Sequence, residues 1–329
     1  MKHRDLQDAL SGSRTFLMGA AMAWIVLAHL FAHLELPQGG VAAALYGCIA
    51  DGYGGCDIFL FLSGFGLAHS LKGDPSPRNF LKRRARKLLP SYYPFILLYL
   101  AIMAATSGIT AWEVFGDLTF TGFWFHWRHQ FNWYIQALPA FYLLALLSGR
   151  VLEKLGSPRA AAALGAGYLA LLAVSFGRYQ MVAVTRIPAF LLGFFLARWE
   201  KAVPWGRGTV LLSAAALILG VAVLRLTAPV TTWENGLYWY PFLLIAPALC
   251  VLLTWLRPCL PKAVDRFFCL FGKCSLEIYL IHDLAMEWLF QDMTGNTKWF
   301  ALAAISCGLG IGYHHLVNVC RNKWTGAAR

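Results

Sequence analysis

Apolar stretches of about 18 residues or more recur from one end of this 329-residue chain to the other. Segments of that length and character read as transmembrane helices. Ten fall near residues 15–34, 54–71, 89–108, 132–149, 159–176, 185–200, 208–226, 237–256, 269–290 and 298–319. The expected fold is therefore all-α, a polytopic membrane protein of about ten helices. Charged residues make up only 13% of the chain, against about 25% in soluble domains, which excludes an ordinary soluble protein. The formal charge of +12 need not mean nucleic acid, because the basic residues are placed asymmetrically. With the N-terminus in the cytoplasm, the block Lys72–Lys87, Arg150, Lys154, Arg198, Arg257 and Arg266 fall inside. The other side keeps only Arg128, Arg178, Arg186, Arg225 and Lys298. This asymmetry predicts both termini in the cytoplasm.

No loop is long enough for a separate soluble domain. The expected organisation is a cytoplasmic segment 1–14, a transmembrane domain 15–319 and a cytoplasmic tail 320–329. The polar start MKHRDLQDALSGSR leads into a first span and reads as part of the protein rather than as a cleaved leader. The eight cysteines are scattered and form no CxxC pair. They read as buried free thiols, not as a disulfide frame or a zinc site.

The chemistry is expected where ionisable groups enter apolar spans. His29 lies about one turn from the outer end of the first span, and Asp57 one turn inside the second. Arg186 opens the sixth span, and His282 sits in the outer half of the ninth. At about 1.5 Å of rise per residue, these four groups reach a similar depth. His29 is the natural general base, with Asp57 or another carboxylate orienting its ring. The plain alternative is an interhelical hydrogen bond. His33, one turn further along the same face, admits a metal pair, but no other ligand set matches the spacing. Arg186 is placed to hold an oxyanion, or else to snorkel toward lipid headgroups. Arg83 and Arg86, three residues apart, put two guanidiniums on one helical face. They suit phosphate binding or a plain positive-inside anchor. The segment FWFHWRHQFNWYIQ (123–136) carries aromatic and amide groups that suit carbohydrate, or an interfacial belt. His126 and His129 read as interfacial, and His314 and His315 have no evident partner.

In register, these segments resemble the acyltransferase-3 family of membrane-bound bacterial O-acyltransferases. The resemblance runs from Leu17 to His282 and rests on AWIVLAHLF (23–31), GCDIFLFLSGF (55–65), FLKRRARKLLPSYY (80–93), NWYIQALPAFYLL (132–144), RIPAFLLGFFLAR (186–198) and FGKCSLEIYLIH (271–282). It implies transfer of an acyl group, usually acetyl, from cytoplasmic acyl-CoA to a hydroxyl of an envelope carbohydrate or lipid-linked glycan. No permanently bound cofactor and no nucleic acid are implied, and the setting is the bacterial inner membrane. His29, Asp57 and Arg186 are then the expected catalytic residues. Arg83 and Arg86 are the expected donor-binding residues. Trp133, Tyr134, Ser275, Tyr279 and His282 support the site or bind the acceptor. One position departs from the family pattern: an arginine is usual eleven residues before the histidine, where this chain has Met18. Arg14, one turn earlier on nearly the same face, is the expected substitute on the donor side. Two other readings stay open: a transporter, since intramembrane polar residues also line solute paths, and a non-catalytic relative.

Overall fold

In a computed structural model of the chain, residues 5–34, 46–125, 131–231, 236–290 and 293–326 are described. His126 and His129 lie outside them. The protein is all-α. Among the described residues the only β pairing is an isolated bridge between Asp5 and Pro204. Its helices are α1 (Leu6–Ala32), α2 (Gly55–Gly73), α3 (Pro77–Thr106), α4 (Ala111–Thr119), α5 (Gly122–Phe125), α6 (Trp133–Leu155), α7 (Ser157–Ser175), α8 (Met181–Val184), α9 (Ile187–Arg198), α10 (Arg207–Thr227), α11 (Phe242–Leu256), α12 (Lys262–Lys273), α13 (Ser275–Asp283) and α14 (Asn296–Gly326). A 3₁₀ turn, Asp51–Gly54, leads into α2, and a π-helical turn, Leu284–Leu289, continues α13.

Nine helices among the described residues are long and apolar enough to cross a membrane. They match nine of the ten spans expected from sequence. The remaining one, 269–290, is not a continuous helix. It breaks at Cys274, where α12 ends and α13 begins, and then widens into the π turn.

Local sequence explains several starts. Ser76 caps α3 by accepting the Asn79 amide, and Pro77 occupies its first position, where no amide is needed. Thr110 and Glu113 form a reciprocal capping box at the start of α4. Pro188 lies in the first turn of α9 and fixes its entry.

The helices fall into two compact units: Met1–Ser13, Asp57–Ala85 and Met103–Pro258 in the first, and Arg14–Cys56, Arg86–Ile102 and Cys259–Arg329 in the second. Each unit is knitted by a reciprocal glycine crossing. In the first, a Cβ on Gly64 would stand 2.0 Å from the Phe190 carbonyl oxygen, and one on Gly193 would stand 2.0 Å from that of Phe61. α2 and α9 therefore touch backbone to backbone. In the second, a Cβ on Gly19 would meet the Phe268 oxygen at 1.7 Å, and one on Gly272 the Thr15 oxygen at 1.8 Å. That contact joins α1 to α12. Between lipid-soluble helices there is little hydrophobic drive to associate, so close packing over small residues takes its place.

None of the eight cysteines forms a disulfide. Cys56, Cys250, Cys274 and Cys307 are buried as expected, but Cys48, Cys259 and Cys320 are exposed.

Candidate active site

The first unit contains a buried ion pair. Arg186 Nε donates to Asp57 Oδ2 at 3.1 Å, with each side chain 1% exposed. Arg186 Nη1 also donates to the Val182 carbonyl. The guanidinium lies between two indoles, 4.6 Å from the Trp133 ring centre and 3.8 Å from that of Trp239. Such contacts are strengthened where water is excluded. The glycine crossing sets this pair. Asp57 precedes Gly64 by seven residues, and Arg186 precedes Gly193 by seven. In two helices running the same way, equal offsets from the crossing put both side chains at one level. Trp239 arrives from a 3₁₀ turn that begins after Gly236, whose φ of 77° is left-handed. A Cβ there would also stand 2.8 Å from the Met181 oxygen, so only glycine suits the position. Tyr134 is buried beside Trp133, 6.0 Å ring to ring from Phe59. Asp57, expected to orient a histidine, thus gives a carboxylate oxygen to Arg186.

The second unit contains a pair of imidazoles. His29 and His282 are both buried, with ring centres 5.0 Å apart and planes 25° from parallel. His29 follows Gly19 by ten residues, about 15 Å along α1, and His282 follows Gly272 by ten, across the break at Cys274. His282 Nδ1 lies 2.9 Å from the Ile278 carbonyl oxygen. Tyr279 meets the His282 ring edge-on at 5.5 Å, and its hydroxyl is 4.0 Å from Cys56 Sγ. Tyr53 stands 4.8 Å from the His29 ring. The close approach of Gly52 and Gly55 to the Trp24 and Ala21 carbonyls brings its 3₁₀ turn onto α1. Ser275 is buried but bonds locally, to the Gly272 carbonyl at 3.2 Å. His33 lies flat on Trp299, 4.0 Å between ring centres.

The basic block lies on α3. Arg83 is half-buried and pairs with Asp74, which also accepts the Ser76 amide. The Arg83 guanidinium holds the Asp74 carboxyl below the usual carboxylate range. Ser70 Oγ lies 3.4 Å from both Arg83 Nη2 and Arg84 Nη2. Arg84 also stands over the Phe80 ring at 5.6 Å. Arg86 is exposed. Arg14 is half-buried on α1, fifteen residues before His29. That offset is about 22 Å along the helix, so the two act on different parts of any shared ligand.

Sequence reasoning missed three polar clusters. Glu277 is buried on α13 and accepts from Ser91 Oγ at 2.6 Å, while His314 Nδ1 lies 3.0 Å from its other oxygen. Asn318 and Tyr313 extend this network along α14, which names the partner that His314 lacked in the sequence. Arg84 was passed over for Arg86, because spacing cannot say which guanidinium turns toward α2. Asp117 is buried on α4 and accepts the Phe131 amide at 2.9 Å and Gln136 Nε2 at 2.6 Å. Burial pushes its carboxyl up to about 7. Gln136 in turn accepts the Phe123 amide at 2.7 Å, so this cluster staples the chain on either side of Trp133.

A family model described as an acyltransferase domain matches residues 16–313 of the chain. Neither a search of curated proteins nor one of solved structures returned a match.

Proposed function

The chain belongs to the acyltransferase-3 family and is an acyltransferase; from that premise we propose that it is an O-acyltransferase moving an acyl group, most simply acetyl, from cytoplasmic acyl-CoA to a hydroxyl of an envelope carbohydrate or lipid-linked glycan. The observation that carries the reading is the buried His29–His282 pair, two basic groups brought together by helices α1 and α13. In this scheme the protein lies in the bacterial inner membrane with both termini inside, as its distribution of Lys and Arg favours. Arg83 and Arg86 hold the donor's phosphates, and Arg14 assists in place of the arginine replaced by Met18. His29 takes the proton from the acceptor hydroxyl as the oxygen attacks the thioester carbonyl. Arg186, its charge balanced by Asp57, steadies the developing oxyanion. Trp133 and Tyr134 supply aromatic surface for a sugar, and Ser275 and Tyr279 support the histidine pair.

The test uses purified protein in lipid nanodiscs with labelled acetyl-CoA. Turnover should fall by about 100-fold or more in His29→Ala. Arg83→Gln/Arg86→Gln should raise the acetyl-CoA KM in a correctly inserted protein. Wild-type turnover that survives in His29→Ala would remove the base from this reading. Activity unchanged in Arg14→Ala would remove the proposed substitution for Met18. Mass spectrometry of envelope glycans with and without the protein then names the acceptor by the mass of one acyl group.

A further inference from the structure

We infer that His282 is the proton-relay partner of His29, so that the base of the acyl transfer is a two-imidazole unit rather than one histidine. This rests on the acyl-transfer reading and adds a role for a residue so far only beside the site. A carbonyl oxygen can only accept a hydrogen bond. The contact of 2.9 Å between His282 Nδ1 and the Ile278 carbonyl therefore places the proton on Nδ1. The neutral ring then carries its lone pair on Nε2. That atom is buried and has no hydrogen-bond partner among the described residues. A buried basic nitrogen with a free lone pair is a site that can take a proton.

His29 is positioned to deliver one. The ring centres lie 5.0 Å apart, and with His282 held by the Ile278 carbonyl it is the His29 ring that turns toward Nε2 as the proton passes. A proton taken by His29 can pass to His282 Nε2. The resulting imidazolium keeps its Nδ1–H on the Ile278 carbonyl. A second proton would set two like charges side by side, so the pair holds one at a time. The atoms balance without any added reagent. The acceptor O–H breaks and its proton enters the pair, the oxygen bonds to the thioester carbon, and the C–S bond breaks. The proton then leaves for the thiolate sulfur, and both rings end neutral.

Two features of the fold serve this pairing. The backbone contact of Gly19 with Phe268 and of Gly272 with Thr15 joins α1 to α12 ten residues before each imidazole. The π turn begins at Leu284, directly after Asp283, and such turns are frequent at functional sites. The titratable groups flanking the pair are the Tyr53 and Tyr279 phenols, His33 and the adjoining Asp283.

The test compares wild type with His282→Asn in nanodiscs, measuring thiol release from acetyl-CoA between pH 5.5 and 9. An asparagine amide keeps a donor near the Ile278 carbonyl and deletes Nε2, so a residue needed only for that bond is rescued by it. The expected result is a kcat lower by at least about 30-fold, an acetyl-CoA KM within about threefold, and a displaced acid limb of the pH profile. A kcat within threefold of wild type, with the same acid limb, overturns the relay while leaving His29 as the base. If His29→Asn also keeps turnover, the acyl-transfer mechanism built on this site fails with it. Should His282→Asn not fold, His282→Gln, which places an amide nitrogen near Nε2, is judged by the same two readouts.

Discussion

At the scale of single residues, the Asp57 carboxylate is a costly group in the first unit, and Arg186 is what makes it tolerable. Both side chains are 1% exposed, so removing the guanidinium alone strands a charge in an apolar surround. Arg186→Met should lower stability by about 3–5 kcal/mol, the usual penalty for breaking a buried pair from one side. Asp57→Asn/Arg186→Met should recover most of that loss, because replacing both partners leaves no bare charge. Unfolding of the two variants in mixed micelles measures the difference, and equal destabilisation in both would deny the coupling. Arg186→Lys should also lose stability, since an ammonium cannot fill the slot between Trp133 and Trp239 as a planar guanidinium does. The four ionisable residues were legible in the sequence because each is expensive where it stands. Their partners were not. The sequence puts His29, Asp57, Arg186 and His282 at one depth, and the structure pairs Asp57 with Arg186 within one unit and His29 with His282 within the other. Hydrogen bonds between residues 129 or more positions apart, such as Arg186 to Asp57 and Glu277 to Ser91, leave no local signature.

At the scale of helices, the paired residues are carried by crossings, and the crossings leave a trace in spacing. Gly64 and Gly193 each lie seven residues past a member of the ion pair. Gly19 and Gly272 each lie ten before a member of the imidazole pair. Equal offsets in two helices that share a direction were readable as a hint of contact, but only once the crossing glycines were known. They do not stand out among 30 glycines in the chain. Gly193→Ala should cost about 1–3 kcal/mol, because its new methyl would fall 2.0 Å from a backbone oxygen that cannot rotate away. Gly165→Ala and Gly167→Ala in α7 meet nothing within 4 Å and should be neutral or stabilising by up to about 1 kcal/mol. In the second unit, Gly272→Ala should also reduce acyl transfer more than it reduces stability, since parting α1 from α12 moves His282 away from His29. Unfolding free energies and turnover measured on the same preparations separate the two effects.

At the scale of the whole molecule, the all-α membrane fold was legible because hydrocarbon imposes long apolar helices on any chain that spans it. Nine of ten expected spans coincide with helical segments long and apolar enough to cross a membrane. The tenth reads as one apolar run, yet it divides at Cys274 and widens at Leu284. Hydrophobicity reports burial in lipid or protein alike and is blind to such breaks. Orientation rests on the distribution of Lys and Arg, and three native cysteines offer a direct test. Cys48 lies near the start of the second candidate span, Cys259 closes the eighth, and Cys320 is near the end of α14, and all three are exposed. With both termini inside, Cys48 faces outward while Cys259 and Cys320 face the cytoplasm. In spheroplasts expressing variants that each keep one of these three cysteines, a membrane-impermeant maleimide should label Cys48 at once. It should reach Cys259 and Cys320 only after permeabilisation. The reverse order would turn the basic block Lys72–Lys87 outward, away from cytoplasmic acyl-CoA. Donor binding by Arg83 and Arg86 would then fail on topology alone, whatever the two histidines do.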